Sequence, residues 1–210
     1  RGYRDFQDFL DALASRKRKQ LRKEREQVAL QGVEFDWLGG DQLSEAQWDR
    51  IYLLYAHTYA ERGQAPYLSR DFWRQWGAAA GTPVRVIVGE ENGEIIACAL
   101  CVESGDTLYG RHWGALASHH SLHFETCYYQ GIEYCIARGL RRYDAGTQGS
   151  HKLARGFDPV ITRSAHWLAE PRLDAAVRHY LARERTAVAE GREILNEHSA
   201  FRIDNNADAH

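Results

Sequence analysis

The chain has 210 residues, of which 44% are hydrophobic, and a formal net charge of −2 with a pI near 6.6. This composition is typical of a globular protein with a sizeable core, and the charge excludes a polycationic nucleic-acid-binding protein. No apolar run approaches 18 residues, so we expect no membrane span. The chain begins at Arg1 within helical sequence and without a visible signal peptide, which indicates a fragment of a longer protein.

The first element is a predicted basic helix over residues 3–30. Phe6, Phe9 and Leu13 recur at helical spacing. The run from Arg16 to Arg25 contains seven cations, which would form either a solvated face or a contact surface for a polyanion such as RNA. Because isolated helices of this length are marginally stable, we expect this one to dock on the domain or on a partner chain.

The following segments predict strands alternating with helices. VEFDWLGG is typical of a strand, Ser44 and Gln47 form a capping box that begins a helix, and Ser69 caps a second helix. Asn92-Gly93 is a strong hairpin signal between two long strands. The segment TLYGRHWGA predicts the next strand, and we expect the hairpin to be central in the sheet.

The stretch LHFETCYYQGIEYCIARGL, Leu122–Leu140, predicts a buried helix directly after that strand. RRYDAG then predicts a strand, GSHKLARGF a polar turn with a short helix, VITRSAHWL a further strand, and the remainder a final helix. This order predicts an α/β fold, a mixed sheet with helices on both faces. The expected organisation is a basic connecting helix over 1–31, one domain over 32–198 and a loose tail over 199–210.

Several of these motifs together resemble a known family. GRHWGA, LHFETCYYQGIEY, GTQGSHKLARGF and SAHW are similar to segments of predicted bacterial N-acyltransferases related to the FemABX peptidoglycan enzymes and to the GNAT superfamily. The resemblance implies a GNAT-like fold, usually present twice in a FemABX-type chain. This chain would be the C-terminal copy, with the N-terminal half-domain missing. The family motif has an acidic residue where Ser150 stands here.

The activity that the resemblance implies is transfer of an acyl or aminoacyl group to an amine, in the cytoplasm. Acyl-CoA or aminoacyl-tRNA would be the donor, and a small molecule or muropeptide-like amine the acceptor. An alternative is a GNAT-shaped module that recognises peptidoglycan or another amine ligand without turnover. Arg111-x-x-Gly114 matches part of the GNAT pyrophosphate loop, but the match ends at Leu116.

Amine acylation needs a base for the amine proton, and two residues are candidates. Glu125 shares a helix face with Tyr129, Ile132 and Ile136, so it would lie at the cleft end of a buried face. The alternative is a structural carboxylate paired with Arg111. His151 lies next to Lys152 and is either a proton carrier or a capping residue of a polar loop.

The remaining candidate side chains would bind the substrate. They are polar, cationic or aromatic and come from the same motifs: Arg111, Trp113, His123, Tyr129, Gln148, Lys152 and Arg155. We expect Glu125, His151, Lys152, Arg155 and Arg111 to line one pocket. His119, His120, His123 and His151 complete no known metal site, so no metal is expected. Cys98 and Cys101 would point to opposite faces of a strand, and all four cysteines fit small buried residues in a reducing compartment.

Overall fold

A computed structural model of the chain describes residues 2–116, 118–147 and 149–202. The chain divides into two compact units, Arg1–Gln148 and Gly149–His210. The predicted organisation of a connecting helix, one domain and a tail stays a prediction. None of the described helices is long and apolar enough to cross a membrane.

The first unit is built on one five-stranded sheet in the order β1-β2-β3-β4-β5. The strands are β1 (Glu34–Gly39), β2 (Val84–Glu91), β3 (Glu94–Ser104), β4 (Thr107–Ala115) and β5 (Arg142–Asp144). The first four pair antiparallel, whereas β4 and β5 are parallel. The predicted mixed sheet with flanking helices, preceded by a basic helix, is therefore confirmed.

The hairpin of β2 and β3 is central, as predicted. Asn92 and Gly93 have φ angles of 53° and 80°, and two positive φ angles in succession match the twist of the flanking strands. Cys98 packs in the core on one face of the sheet, and Cys101 packs in the core on the other face. Their predicted opposition is confirmed.

The N-terminal region forms two helices instead of the single one predicted. α1 (Phe6–Ala12) ends at an extended Leu13, and α2 (Ser15–Leu30) follows. Leu13 is fully buried, and the break lets both helices dock on the domain through Phe6, which packs against Tyr129, and Val28, which packs in a core cluster with Leu122. The predicted docking of the basic helix is confirmed.

The remaining helices of the first unit lie on the two faces of the sheet. α3 (Glu45–Ala60), begun by the predicted Ser44 capping box, and α4 (Arg70–Ala78) cover one face. The predicted helix after β4 forms as α5 (Leu122–Phe124), a π-helical segment (Glu125–Tyr129) and α6 (Gln130–Ala137). Such π segments occur frequently at functional sites.

The second unit contains a 3-10 helix (Ser150–Arg155) and the long α7 (Pro171–Glu197). The strand predicted at VITRSAHWL is wrong, since these residues are in neither helix nor strand. Val160 and Trp167 are strongly exposed, so the alternating pattern has no buried face to favour a strand. Residues 203–210 of the predicted tail lie outside the described residues.

Candidate active site

The predicted catalytic Glu125 lies under the basic helix. Its side chain is almost fully buried, and its Oε1 accepts from Arg25 Nε at 3.1 Å and from Gln130 Nε2 at 2.9 Å. Oε2 is buried and accepts no hydrogen bond from the described residues. Burial raises the pKa of this carboxyl, although the Arg25 guanidinium acts in the opposite direction.

Arg25 connects α2 to two acidic side chains of the π segment and α6. Besides Glu125 it pairs with Glu133 at 2.8 Å, and its guanidinium lies 4.3 Å from the centre of the Phe6 ring. The alternative pairing of Glu125 with Arg111 is therefore not what the structure contains. Arg111 is exposed on β4, where its Nη2 lies 3.5 Å from Tyr67 Oη.

Two further side chains complete what we call the carboxylate cluster. Tyr129 is fully buried and donates its hydroxyl hydrogen bond to Glu24, which also accepts from Gln20 at 2.9 Å. The carboxylate cluster consists of Glu24, Arg25, Glu125, Tyr129, Gln130 and Glu133. Of these only Glu125 and Tyr129 were predicted as site residues. The other members carry no signal beyond a place in a charged run or on a helix surface.

A second group, which we call the imidazole–thiol cluster, lies on the other side of the same helical segment. It consists of Trp113, His123, Cys127 and Tyr128. The His123 ring packs edge-on against Trp113 with 4.9 Å between ring centres. Its Nδ1 lies 3.5 Å from Cys127 Sγ, and its Nε2 lies 3.5 Å from Tyr128 Oη. The structure thus brings together two predicted residues, Trp113 and His123.

This cluster lies where β4 and β5 part. The two strands pair only from Thr107 to Tyr109, opposite Arg142 to Asp144. The Tyr143 hydroxyl on β5 donates to the Cys127 carbonyl, and Trp113 belongs to the part of β4 beyond the pairing. Leu116 N donates to Ile96 O on β3. In an antiparallel pair only every second residue directs its N–H and C=O groups to the partner strand, so those of Trp113 and Ala115 point away from β3.

The edge of β4 beyond Tyr109 is contacted by α3 instead of by another strand in the described part of the chain. The Trp113 carbonyl accepts from the Thr58 hydroxyl at 3.0 Å. Gly114 is required here, because an added Cβ would lie 2.2 Å from Leu54 O. Next to it, burial lowers the pKa of His112 to about 4, so this imidazole is neutral at pH 7.

The predicted residues of the GSHKLARGF motif belong to the second unit. His151 is the second residue of the 3-10 helix, where burial and the neighbouring Arg155 and Lys152 lower the pKa of its imidazole. Arg155 is buried, and its Nη1 donates to the His151 carbonyl at 3.0 Å. Gln148 lies outside the described residues. The predicted common pocket of these groups with Glu125 and Arg111 stays a prediction.

Sequence reasoning missed Cys127 as a functional candidate. The sequence indicates a small buried residue at this position, although its spacing of four from His123 on a helix is a usable signal. Among the described residues no group of three His, Cys, Asp or Glu side chains could hold a metal ion.

Comparison with known proteins identifies the class and then the family. The chain is similar in fold to acetyltransferases of known structure. The model of the FemAB-like family, described as peptidoglycan biosynthesis/recognition, matches residues 1–203. The chain therefore belongs to the FemAB-like family. A comparison with curated proteins finds no match.

Three of the similar solved structures illustrate the likeness in fold. Aminoglycoside N-acetyltransferase AAC(6')-Iy in complex with CoA is 10% identical, with 66% of this chain and 95% of that chain covered and a TM-score of 0.44. An aminoglycoside acetyltransferase from an uncultured soil metagenomic sample, in complex with sisomicin, is 9% identical over 66% and 96%, with a TM-score of 0.44. A possible acetyltransferase from Clostridium difficile 630 is 10% identical over 66% and 99%, with a TM-score of 0.46.

Proposed function

We propose that this chain transfers an activated acyl group to an amine at the point where β4 and β5 part, with His123 receiving the amine proton. Membership of the FemAB-like family supports the reaction class. The observation that carries the proposal is the imidazole of His123, held against Trp113 beside the strand edge that continues past the β4–β5 pairing. A neutral imidazole is a suitable proton acceptor near pH 7.

The backbone of β4 supplies the second requirement of acyl transfer. The carbonyl oxygen of the acyl group becomes negative during attack and needs hydrogen-bond donors. The N–H groups of Trp113 and Ala115 point away from β3, so an extended donor with its own amide groups would pair with this edge as an added strand does.

Glu125 is the alternative to His123 as the base. Its raised pKa and its buried Oε2, which accepts no hydrogen bond from the residues that the structure describes, are properties of a carboxyl that exchanges protons. However, Glu125 and His123 are two residues apart on a helix, so their side chains point to different sides and do not act together. His151 of the second unit is a third candidate, with the cations Lys152 and Arg155 as binders of a donor or a substrate carboxylate.

The donor that we propose is an acyl-CoA or an aminoacyl-tRNA, and the acceptor is a muropeptide-like amine in the cytoplasm. The outer side of α2 presents Arg18, Lys19, Arg22 and Lys23 along one groove, whereas Arg25 is turned inward. A row of cations of this kind binds polyanions in a strongly salt-dependent way. These cations would bind an RNA donor better than a compact donor such as acyl-CoA.

Recognition without turnover is the second candidate function. Ser150 in place of the acidic residue of the family motif favours it, because the chain then lacks one carboxylate at that position. The family description covers both biosynthesis and recognition.

The test is a screen of the full chain with acetyl-CoA, an aminoacyl-tRNA and a muropeptide amine. Midpoint shifts in thermal unfolding identify the bound class by mass action, and mass spectrometry of the amine reports its acylation. Transfer that His123→Gln removes supports the proposal. Binding of the amine without any acylation by any donor overturns it in favour of recognition.

A further inference from the structure

The thiol of Cys127 is set apart from the other three cysteines by its surroundings. Cys98, Cys101 and Cys135 are buried in the core, and burial raises the pKa of the Cys98 and Cys135 thiols to about 12. Cys127 is only partly buried, and its Sγ lies 3.5 Å from the His123 imidazole. A base within hydrogen-bond reach is what turns a thiol into a nucleophile.

The π-helical segment fixes this pair. His123 and Cys127 are four residues apart, so both side chains lie on one side of the helix. On its other ring nitrogen the imidazole approaches Tyr128 Oη at 3.5 Å. Cys127, His123 and Tyr128 are thus arranged as a nucleophile, a base and a group that orients the base. Contacts as long as 3.5 Å are common in such sites before a substrate binds.

The position of the pair agrees with the proposed site of transfer. Tyr143 of β5 holds the Cys127 backbone through its carbonyl, and Trp113 of β4 holds the His123 ring. Gly131 lies about one helical turn after Cys127 and allows the helix to contact the Tyr143 ring. A Cβ added at Gly131 would lie 2.4 Å from a ring carbon. The helical segment that carries the thiol therefore contacts both parting strands, and Cys127 itself packs against the core cluster that contains Cys101 and Leu108.

We propose that Cys127 accepts the acyl group as a thioester before the amine does, with His123 as the base in both half-reactions. This inference rests on the proposed acyl transfer and adds a covalent intermediate to it.

The two half-reactions are balanced. Cys127 Sγ attacks the carbonyl carbon of an acyl thioester, its proton passes to His123, the bond from carbonyl carbon to donor sulfur breaks, and the leaving thiolate takes the proton. The amine then attacks the acyl-Cys127 carbonyl, its proton passes to His123, and the carbon–sulfur bond breaks. The Cys127 thiolate recovers the proton, so the net products are an amide and the donor thiol. With an acyl ester the leaving group is a hydroxyl group instead.

The experiment incubates the full chain with acetyl-CoA in one arm and p-nitrophenyl acetate in the other, both without amine. Peptide mass spectrometry should find one acetyl group on the peptide containing Cys127, removable by hydroxylamine. Cys127→Ser should lose the label and lower amine acylation on the order of 10²- to 10⁴-fold. Cys135→Ser, which alters a buried thiol without an imidazole neighbour, should keep both.

The outcomes separate this inference from the proposed function. Undiminished amine acylation by a folded Cys127→Ala variant overturns the covalent intermediate and leaves acyl transfer standing. Labelling of Cys127 with no acylation of any amine supports the thiol chemistry and rejects the proposed function. The rate of iodoacetamide alkylation at Cys127 needs no donor, and it should fall in His123→Gln. An unchanged rate in that variant counts against the pair.

Discussion

The carboxylate cluster and the imidazole–thiol cluster lie on two sides of one helical segment and differ in the chemistry of their polar groups. In the carboxylate cluster, Glu125 pairs with Arg25 and accepts from Gln130, and Glu24 accepts from Tyr129. These bonds join α2 to the helical segment in a largely buried contact. The imidazole–thiol cluster contains an imidazole and a thiol, those of His123 and Cys127, which are 3.5 Å apart and only partly buried. Buried ion pairs fix structure at a desolvation cost, whereas an imidazole beside a thiol can take up a proton during nucleophilic attack. The comparison assigns docking to one side and chemistry to the other.

The largest expected effect separates the two clusters by turnover. His123→Gln should lower amine acylation on the order of 10²- to 10⁴-fold, because the glutamine amide cannot accept the amine proton. Glu125→Gln should leave turnover close to that of the wild type. Steady-state rates with matched unfolding midpoints check both. The reverse result, loss in Glu125→Gln alone, would identify the carboxyl as the base and break the comparison.

Arg25→Ala should have the largest effect on stability. It leaves the buried Glu125 carboxylate without its cation, and we expect a loss of about 3 kcal/mol, the lower end of the range for broken buried pairs, because Arg25 is itself partly exposed. Lys23→Ala, on the exposed side of α2, should stay within about 0.5 kcal/mol of the wild type. Urea unfolding of both variants measures this, and equal losses would show that α2 docks without the ion pair.

Gly131→Ala tests how closely the helix must approach β5. The new methyl group would overlap the Tyr143 ring, and such overpacking costs about 1–3 kcal/mol. Because Gly131 is on the Cys127 side, alkylation of Cys127 should change as well. Gly191→Ala in α7 meets no atom within 4 Å and serves as the control, with a gain of up to about 1 kcal/mol. A stable Gly131→Ala variant with unaltered Cys127 reactivity would contradict the close packing.

The smallest expected effect is a pH dependence of stability. Since burial raises the pKa of Glu125 above its usual 4.5, the folded state favours the protonated carboxyl. Its contribution to the free energy of unfolding is complete below pH 4.5 and is lost as pH rises through the raised value. Glu125→Gln cannot ionise, so its stability relative to the wild type should increase with pH above 4.5.

The measurement for this last prediction is urea unfolding between pH 4.5 and 8. Glu26→Gln, on the exposed side of α2, is the control and should follow the wild type. A difference between Glu125→Gln and the wild type that stays constant with pH would mean that Glu125 is ionised in the folded state over the whole range.

Much of the fold could be predicted because its signals are local. The Asn92-Gly93 turn and the Ser44 capping box each depend on neighbouring residues, and both appear as expected. VITRSAHWL was predicted wrongly, because alternation alone does not provide a surface for the strand to cover. The break after α1 was missed because two helical stripes in succession look like one.

The candidate site was predicted only in part. The sequence determined that Glu125 and Tyr129 share a buried helix face and that Trp113 precedes His123 along the chain, since helical spacing and strand order are local properties. Only the tertiary structure decided that Arg25, a hundred residues away in sequence, pairs with Glu125, and that His123 and Cys127 lie where β4 and β5 part. Nothing in the sequence distinguishes Arg25 from the other six cations of the basic run, because the packing of α2 decides which of them points into the domain. The parting of two strands likewise depends on pairing between distant segments, which no local pattern of residues contains.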